Sequence, residues 1–374
     1  MPGKHAILSP SASERWLACP PSARLCDSFE DTGSSYAEAG TQAHALCEFK
    51  LKQALGKPAD NPMHTLTLYD AEMEDAAAGY TAYVMELVES AKCSGCNPIV
   101  LIEQKLAFTE WVQDGYGRAD CIIVAGNTLH VVDFKFGVLE VLAPGNSQLQ
   151  MYGLGSLQIF DGIFDIEEVQ MHIYQPRKSN ISVATMTKDA LLEWANTVLK
   201  PTAQLAYEGK GEFSCGSWCR FCKAKAACRT RADANLVLAR YDFQIPALLD
   251  DAEIAEVLGK VDALTAWAND IKEYALQQAV SGKRWPGWKL VEGRSNRKYT
   301  DDALVAAAVE GIGLDPYEKK VLGVTAMQKM LGKARFEELL SPYIHKPAGR
   351  PTLVLESDKR PAMNTAKHDF MEEF

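Results

Sequence analysis

Two apolar, β-branched runs joined by a short turn constrain this chain more than any other stretch of it. Ala119–Val124 and Leu129–Phe134 flank Ala125-Gly126-Asn127, and Val, Ile and Leu either side of a Gly-Asn turn predict a β-hairpin. Each run carries a carboxylate: Asp120 opens the first and Asp133 lies near the end of the second. Antiparallel pairing then brings both to the same end of the sheet. Lys135 follows Asp133 by two residues, and the two-residue period of a strand sets it on the same face. Taking unpaired charge out of water is costly, so an acid, acid and base face on apolar strands demands partners. A salt bridge at a strand edge would satisfy an isolated Asp-x-Lys. Here the pattern continues. A Pro-Gly turn leads to a helix from Asn146, in which Gln148 and Tyr152 stand four apart and share a face. Upstream, Glu103 lies in another apolar run, Ile99–Leu106, read as a preceding strand.

Taken in order, Gly117-Arg118-Ala119-Asp120, Asp133-Phe134-Lys135 and Gln148-x-x-x-Tyr152 resemble the motifs of the RecB-like branch of the PD-(D/E)XK nuclease superfamily. Gly40-Thr41-Gln42-Ala43-His44, with Glu48 one turn later, resembles that family's upstream helical histidine. The resemblance covers roughly Ser9–Arg231, and the whole chain looks like RecB-like proteins of phages and prophages. It implies an α/β fold with a PD-(D/E)XK core, a central mixed sheet flanked by helices, and a DNA nuclease that depends on Mg²⁺ or Mn²⁺. His44, Asp120 and Asp133 are then metal ligands, with Glu103 completing the sites. Lys135 orients the attacking water or stabilises transition-state charge, and Gln148 and Tyr152 position the DNA strand or the lysine. The resemblance further implies an exonuclease of phage recombination or replication, acting beside a single-strand-binding or annealing protein. The alternative is a non-catalytic, zinc-containing nucleic-acid-binding protein.

At 374 residues the chain has the length for two domains, or for one large core with an appendage. No apolar run approaches the roughly 18–20 residues of a membrane helix, and the opening MPGKHAILSP lacks an apolar signal core. A cytoplasmic location is therefore expected. The net charge of −10 opposes any global attraction to DNA, yet clustered carboxylates are what a divalent-metal site requires, and basic patches act locally. The sequence holds no GxxxxGK[ST] phosphate loop, so any unwinding has to come from a partner.

Ten cysteines without a secretion signal point to metal ligands or buried thiols rather than a disulfide framework. Cys93-Ser-Gly-Cys96 reads as a plain turn closing a helix, Ala71–Lys92. Cys215, Cys219, Cys222 and Cys228 form the dense cluster. These four can close a local tetrahedral zinc site, or the last three can take a fourth ligand from elsewhere. That triplet, with Cys19-Pro20 behind a serine-rich helix, resembles the iron–sulfur nucleases of the RecB-like branch. On that resemblance Cys19, Cys219, Cys222 and Cys228 hold a 4Fe-4S cluster and Cys215 is spare. The cluster would staple together chain segments some 200 residues apart, removing loop entropy from the unfolded state.

The remaining pattern predicts a helix over Ser9–Cys19 with Ser11 and Glu14 at capping-box spacing, a polar stretch to Ala37, and a helix over Glu38–Leu55. A strand over Val169–Tyr174 and a helix over Thr187–Tyr207 follow. Residues 1–232 are expected to form the nuclease domain with its cysteines, 233–345 a mainly helical region, and 346–374 a tail. Within the helical region the periodic segments are Pro246–Leu258, Val261–Val280, Thr300–Glu310 and Thr325–Leu340. Between them, Gly282–Tyr299 sets six Lys or Arg against one Glu, with three aromatics interleaved. This suits a DNA-tracking surface, or else a solvated hairpin with Trp285 and Trp288 in the core.

Overall fold

The computed structural model describes residues 6–29, 35–160, 162–237, 249–292, 299–318 and 320–345, with Val354 and Asp358. The chain divides into two units, Met1–Val291 and Glu292–Phe374. The first is α/β and is built on a five-stranded mixed sheet whose spatial order follows the chain: β1 (Ile99–Ala107), β2 (Tyr116–Ala125), β3 (Thr128–Phe134), β4 (Glu168–Gln175) and β5 (Asn180–Thr187). Strands β1 to β3 form an antiparallel meander, β3 and β4 run parallel, and β5 returns antiparallel. A parallel pair cannot be closed by a tight turn. The crossover is the helix α5 (Ser147–Phe160).

Each face of the sheet has its own core. On one face lie α3 (Ser35–Ala54) and α4 (Ala71–Cys93), packed on Cys121, Ile123, Val132 and Phe134. Helix α4 forms because Asp70 caps it, accepting the Met73 N–H at 2.8 Å. Its Met73, Ala77, Tyr80, Val84 and Val88 recur at helical spacing to make one buried stripe. On the other face Ile122, Val124, Leu129 and Val131 meet α5, α6 (Lys188–Trp194) and α7 (Lys200–Glu208). There α5 is buried nearly all round, which its uncharged sequence permits.

Several elements depart from the sequence reading. The expected helix over Ser9–Cys19 is a 3₁₀ turn, Pro10–Ala12, followed by α1 (Ser13–Ala18). No capping box forms, because the turn makes Ala12 the cap residue, while Ser13 Oγ lies 2.6 Å from Ser147 Oγ. The stretch read as polar holds α2 (Ser22–Asp27). Strand β5 was not expected; it is an edge strand with Ile181 and Val183 exposed. The helix expected over Thr187–Tyr207 begins at Lys188, with Thr187 as its cap, and is interrupted by a π-helical turn over Ala195–Leu199. Pro201 lies just beyond that turn, where its missing N–H breaks the regular ladder.

The two helices expected over Pro246–Leu258 and Val261–Val280 are one, α9 (Asp251–Val280), preceded by α8 (Arg229–Leu236); Pro246 itself lies outside the described residues. A capping box does form here, between Asp250 and Glu253. Two ion pairs tie α9 to the cysteine-rich segment: Asp270 receives Lys225 at 2.7 Å and Arg231 at 2.6 Å. In the second unit α10 spans Asp302–Glu310. The apolar run Thr325–Leu340 splits into α11 (Val324–Leu331) and α12 (Lys333–Leu340) at Gly332, whose φ is +73°. The expected tail over 346–374 lies, but for Val354 and Asp358, outside the described residues. No described helix is long and apolar enough to cross a membrane.

One buried group makes the first unit acid-sensitive. His172 on β4 is 2% exposed, with its Nδ1 2.8 Å from the Tyr83 hydroxyl and its Nε2 3.2 Å from His130 Nδ1. Burial, reinforced by His130, pushes its imidazolium down from an ordinary 6.5 to about 4. The folded state thus binds fewer protons than the unfolded chain, so stability is full above 6.5 and falls as pH drops toward 4. At pH 5 the loss is about 2 kcal/mol. His172→Gln is expected to flatten this part of the urea-midpoint profile between about pH 4 and 7. Parallel profiles for the two proteins would show that His172 is not the titrating group.

Candidate active site

The β2/β3 register pairs Cys121 with Val132, and the next position along places Asp120 across from Asp133. Asp120 does not open its strand as expected; it lies in the middle of β2, which starts at Tyr116. Its Oδ2 accepts the Phe134 N–H at 2.7 Å, and its Oδ1 is 3.2 Å from His44 Nδ1 on α3. Glu103 occupies the facing position on β1, between the pairs Ile102–Cys121 and Gln104–Ala119.

At this position both strands change sides. Val100 and Ile102 pack toward α3 and α4, whereas Leu106, of the same parity, packs toward α5. On β2 Cys121 and Ile123 pack toward α3 and α4, while Ala119 joins the other core. The reversal coincides with a φ of +50° at Glu103, a left-handed conformation that costs a non-glycine residue about 1–2 kcal/mol. It turns a pair of ordinary strand positions into a pocket of acids.

The second half of the site hangs on Lys135. Its Nζ lies 2.9 Å from Asp133 Oδ2 and donates to Gln148 Oε1 at 2.9 Å. Gln148 Nε2 in turn donates to Asp133 Oδ1 at 3.1 Å and to the Tyr152 hydroxyl at 3.2 Å. One amide therefore spans acid, base and phenol. Its helix is started by Asn146, whose Oδ1 accepts the Leu149 N–H. Gly117 leaves room for the Tyr152 ring, since a Cβ there would stand 2.8 Å from Tyr152 Cε1.

Charge in the site follows from burial. Burial alone would lower the His44 imidazolium, but Asp120, with Asp133 behind it, raises it to about 9. Asp120 is buried too, yet His44, the Phe134 N–H and Lys135 hold it below the usual carboxylate range. Asp133 is pushed up by burial despite Lys135, and Glu103 is raised to about 7 by burial and by Asp120. Burial disfavours the Lys135 ammonium, and Asp133 reverses this, holding it above its ordinary range. Acids with elevated and depressed affinities for protons side by side mark a site short of positive charge.

A divalent cation fits that deficit. One ligand atom each of His44, Glu103 and Asp120 lie within 4.8 Å of one another, and this is the one such group among the described residues. One imidazole and two carboxylates are a donor set that a divalent cation can take. The buried Asp133 Oδ2 lies 2.9 Å from the Lys135 ammonium without an aligned hydrogen bond. Glu103, expected to complete the sites, belongs to the trio, while Asp133, expected as a ligand, is not one of the three. Glu48 is engaged elsewhere, with Lys52 at 2.6 Å. The other expected residues, His44, Glu103, Asp120, Asp133, Lys135, Gln148 and Tyr152, form one connected set.

The cysteines gather at a second place. Cys19, Cys219, Cys222 and Cys228 all line one narrow cavity, with Arg15 and Arg231 in its walls. Cys215 does not line that cavity, but its thiol lies against that of Cys219. Sequence reasoning passed over Cys26, whose Sγ lies 3.6 Å from Cys222 Sγ and accepts from Arg15 Nη1 at 3.2 Å. Cys222, next to Arg15, lowers the Cys26 thiol to about 6. No spacing motif marks Cys26; its partner is 196 residues away. Cys93 and Cys96 close α4 in a turn through Gly95, φ +83°, as expected.

Residues 5–361 match the model of DUF2800, a family described as protein of unknown function, and the chain belongs to that family. A solved structure described as "Crystal structure of SSO0001" is similar at 17% identity over 50% of this chain and 95% of its own, with a TM-score of 0.23.

Proposed function

We propose that this protein is a RecB-like PD-(D/E)XK nuclease that hydrolyses DNA phosphodiester bonds with Mg²⁺ or Mn²⁺, as an exonuclease of phage recombination or replication. The observation that carries this reading is the placement of Asp120 on β2 beside Asp133 near the end of β3, with Lys135 just past that strand and Gln148 joining Asp133 to Lys135. His44, Glu103 and Asp120 would hold a divalent ion, with Asp133 at its side. When bound, such an ion supplies an activated water and charge relief at the phosphate. Lys135, fixed by two partners, presents a positive Nζ where the attacking water or the developing phosphate charge lies. Tyr152, its phenol pushed up by burial and by Asp133, stays protonated and offers a neutral contact through Gln148.

A cleft of about 610 Å³ leads to Lys135 and Gln148, rimmed by the turn that carries Trp218, Arg220 and Phe221. Phe221 is 66% exposed, with Cys219 and Cys222 on either side of the Arg220-Phe221 pair. In this reading Cys19, Cys219, Cys222 and Cys228 hold a 4Fe-4S cluster that fixes the rim where DNA enters. A single-strand-binding or annealing protein would deliver the strand. Incubation of single- and double-stranded DNA with the protein, with Mg²⁺ or Mn²⁺ and again with EDTA, tests the reading. Products are expected only with the metal, and degradation that EDTA leaves unchanged would overturn it.

A further inference from the structure

A groove with basic residues in its walls is lined by none of the residues of the acidic pocket. The C-terminal half of α9 and the segment after it enclose a groove of about 1340 Å³, whose far wall includes Ala226 and Ala227 of the cysteine-rich segment. Lys272, Lys283, Arg284 and Lys289 line it, and among the described residues no acidic one does. In a chain with a net charge of −10, four cations without a carboxylate on one groove are a local reversal of sign.

The aromatic residues of the groove are held in a set geometry. Trp285-Pro286-Gly287-Trp288 is a β-turn closed by the Trp288 N–H on Trp285 O at 3.1 Å, with Gly287 at φ +78°. Proline second and a positive-φ glycine third are what a type II turn needs. Trp285 is anchored, its Nε1 donating to Ala275 O at 2.9 Å, and Lys283 Nζ lies 4.2 Å from the centre of its ring. Trp288 at the other end of the turn is 83% exposed. Of the two tryptophans expected either in a core or on a DNA surface, one is therefore fixed and the other is displayed. Arg294, Arg297 and Lys298 of the same basic stretch lie outside the described residues.

We infer that this groove binds single-stranded nucleic acid, Trp288 stacking on a base while Lys283, Arg284 and Lys289 hold the flanking phosphates. Four cations call for a polyanion, and a displayed indole on a rigid turn calls for a flat apolar ring exposed beside the charge. An unpaired strand offers both, whereas a duplex hides its ring faces in the stack. Asp270 ties this groove to the cysteine-rich segment through Lys225 and Arg231, and that segment also rims the cleft at Lys135. The inference deepens the nuclease reading by adding a grip on the unpaired strand, but its test needs no catalysis.

Fluorescence anisotropy of a labelled oligothymidine is measured against the full chain in EDTA, across a salt series. Trp288→Ala is expected to weaken binding about 10-fold or more and Trp288→Phe to restore most of it. Arg284→Gln with Lys289→Gln should lower the salt slope by about 1.4, two phosphate contacts at about 0.7 each. An unchanged affinity in Trp288→Ala, equal competition by a duplex of the same sequence, or stronger competition by polyglutamate would each overturn the inference. Because Trp288 is exposed, its variants should keep the wild-type melting temperature. A protein that cleaves DNA with metal yet binds oligothymidine independently of Trp288 would sink this inference alone. One that grips oligothymidine through Trp288 but cleaves nothing with metal would sink only the nuclease reading.

Discussion

Lys135→Ala is expected to lower metal-dependent DNA cleavage by at least about 10²–10³-fold, the usual cost of removing one donor preorganised for transition-state charge. The variant should still fold. Without the ammonium, Asp133 is a buried carboxyl already pushed up by burial, and it can take a proton rather than stand as a bare charge. Asp133→Ala should abolish cleavage as well, but it strands Lys135 without its ion-pair partner. Losing one partner of a buried pair costs about 3–5 kcal/mol. Asp133→Asn, which keeps the shape and an acceptor for Gln148 or Lys135, therefore separates chemistry from folding. Loss of activity in Asp133→Asn, with a urea midpoint above that of Asp133→Ala, is the expected result. Full activity in Lys135→Ala or in Asp133→Asn would remove the substituted residue from the reaction.

The cysteines carry the second large effect. Protein purified without oxygen is expected to be brown, with a broad absorption near roughly 400 nm from thiolate-ligated iron. Cys19→Ser should bleach it. The cluster would close a loop of some 200 residues, worth about 5 kcal/mol in the chain-entropy picture, so its loss should lower the melting temperature by about 10 °C. Cys215→Ser should leave colour and stability nearly unchanged, since in this reading Cys19 and not Cys215 is the fourth ligand. Under a zinc assignment the dependence reverses: a colourless protein that needs Cys215 and tolerates loss of Cys19. Stoichiometric zinc without iron or sulfide in protein never exposed to oxygen would rule the cluster out.

How much of this was legible before folding depends on the range of the interaction. The hairpin, the shared face of Asp133 and Lys135, and the Gln148–Tyr152 pair follow from two- and four-residue periods, and the structure has all of them. Strand β5 escaped because an edge strand pairs on one side and tolerates exposed Ile181 and Val183, so its apolar residues do not announce a core. The continuous α9 was read as two periodic segments, and Gly259 between them is tolerated because a glycine inside a long capped helix costs only about 1 kcal/mol. Glu103 had no local signal for its role. Its place depends on a reversal of the strand's sides at a positive φ, set by two cores on opposite faces of the sheet. Cys26 meets Cys222 only once α2 and the cysteine loop are in place.

The most direct test of the central claim is a single-turnover assay with end-labelled single- and double-stranded DNA, comparing well-folded wild type with Lys135→Ala in Mg²⁺ and in Mn²⁺. Metal-dependent shortening of at least one substrate by wild type, absent from Lys135→Ala, is the predicted result. Wild type that cleaves neither substrate above the Lys135→Ala background with either metal would contradict it.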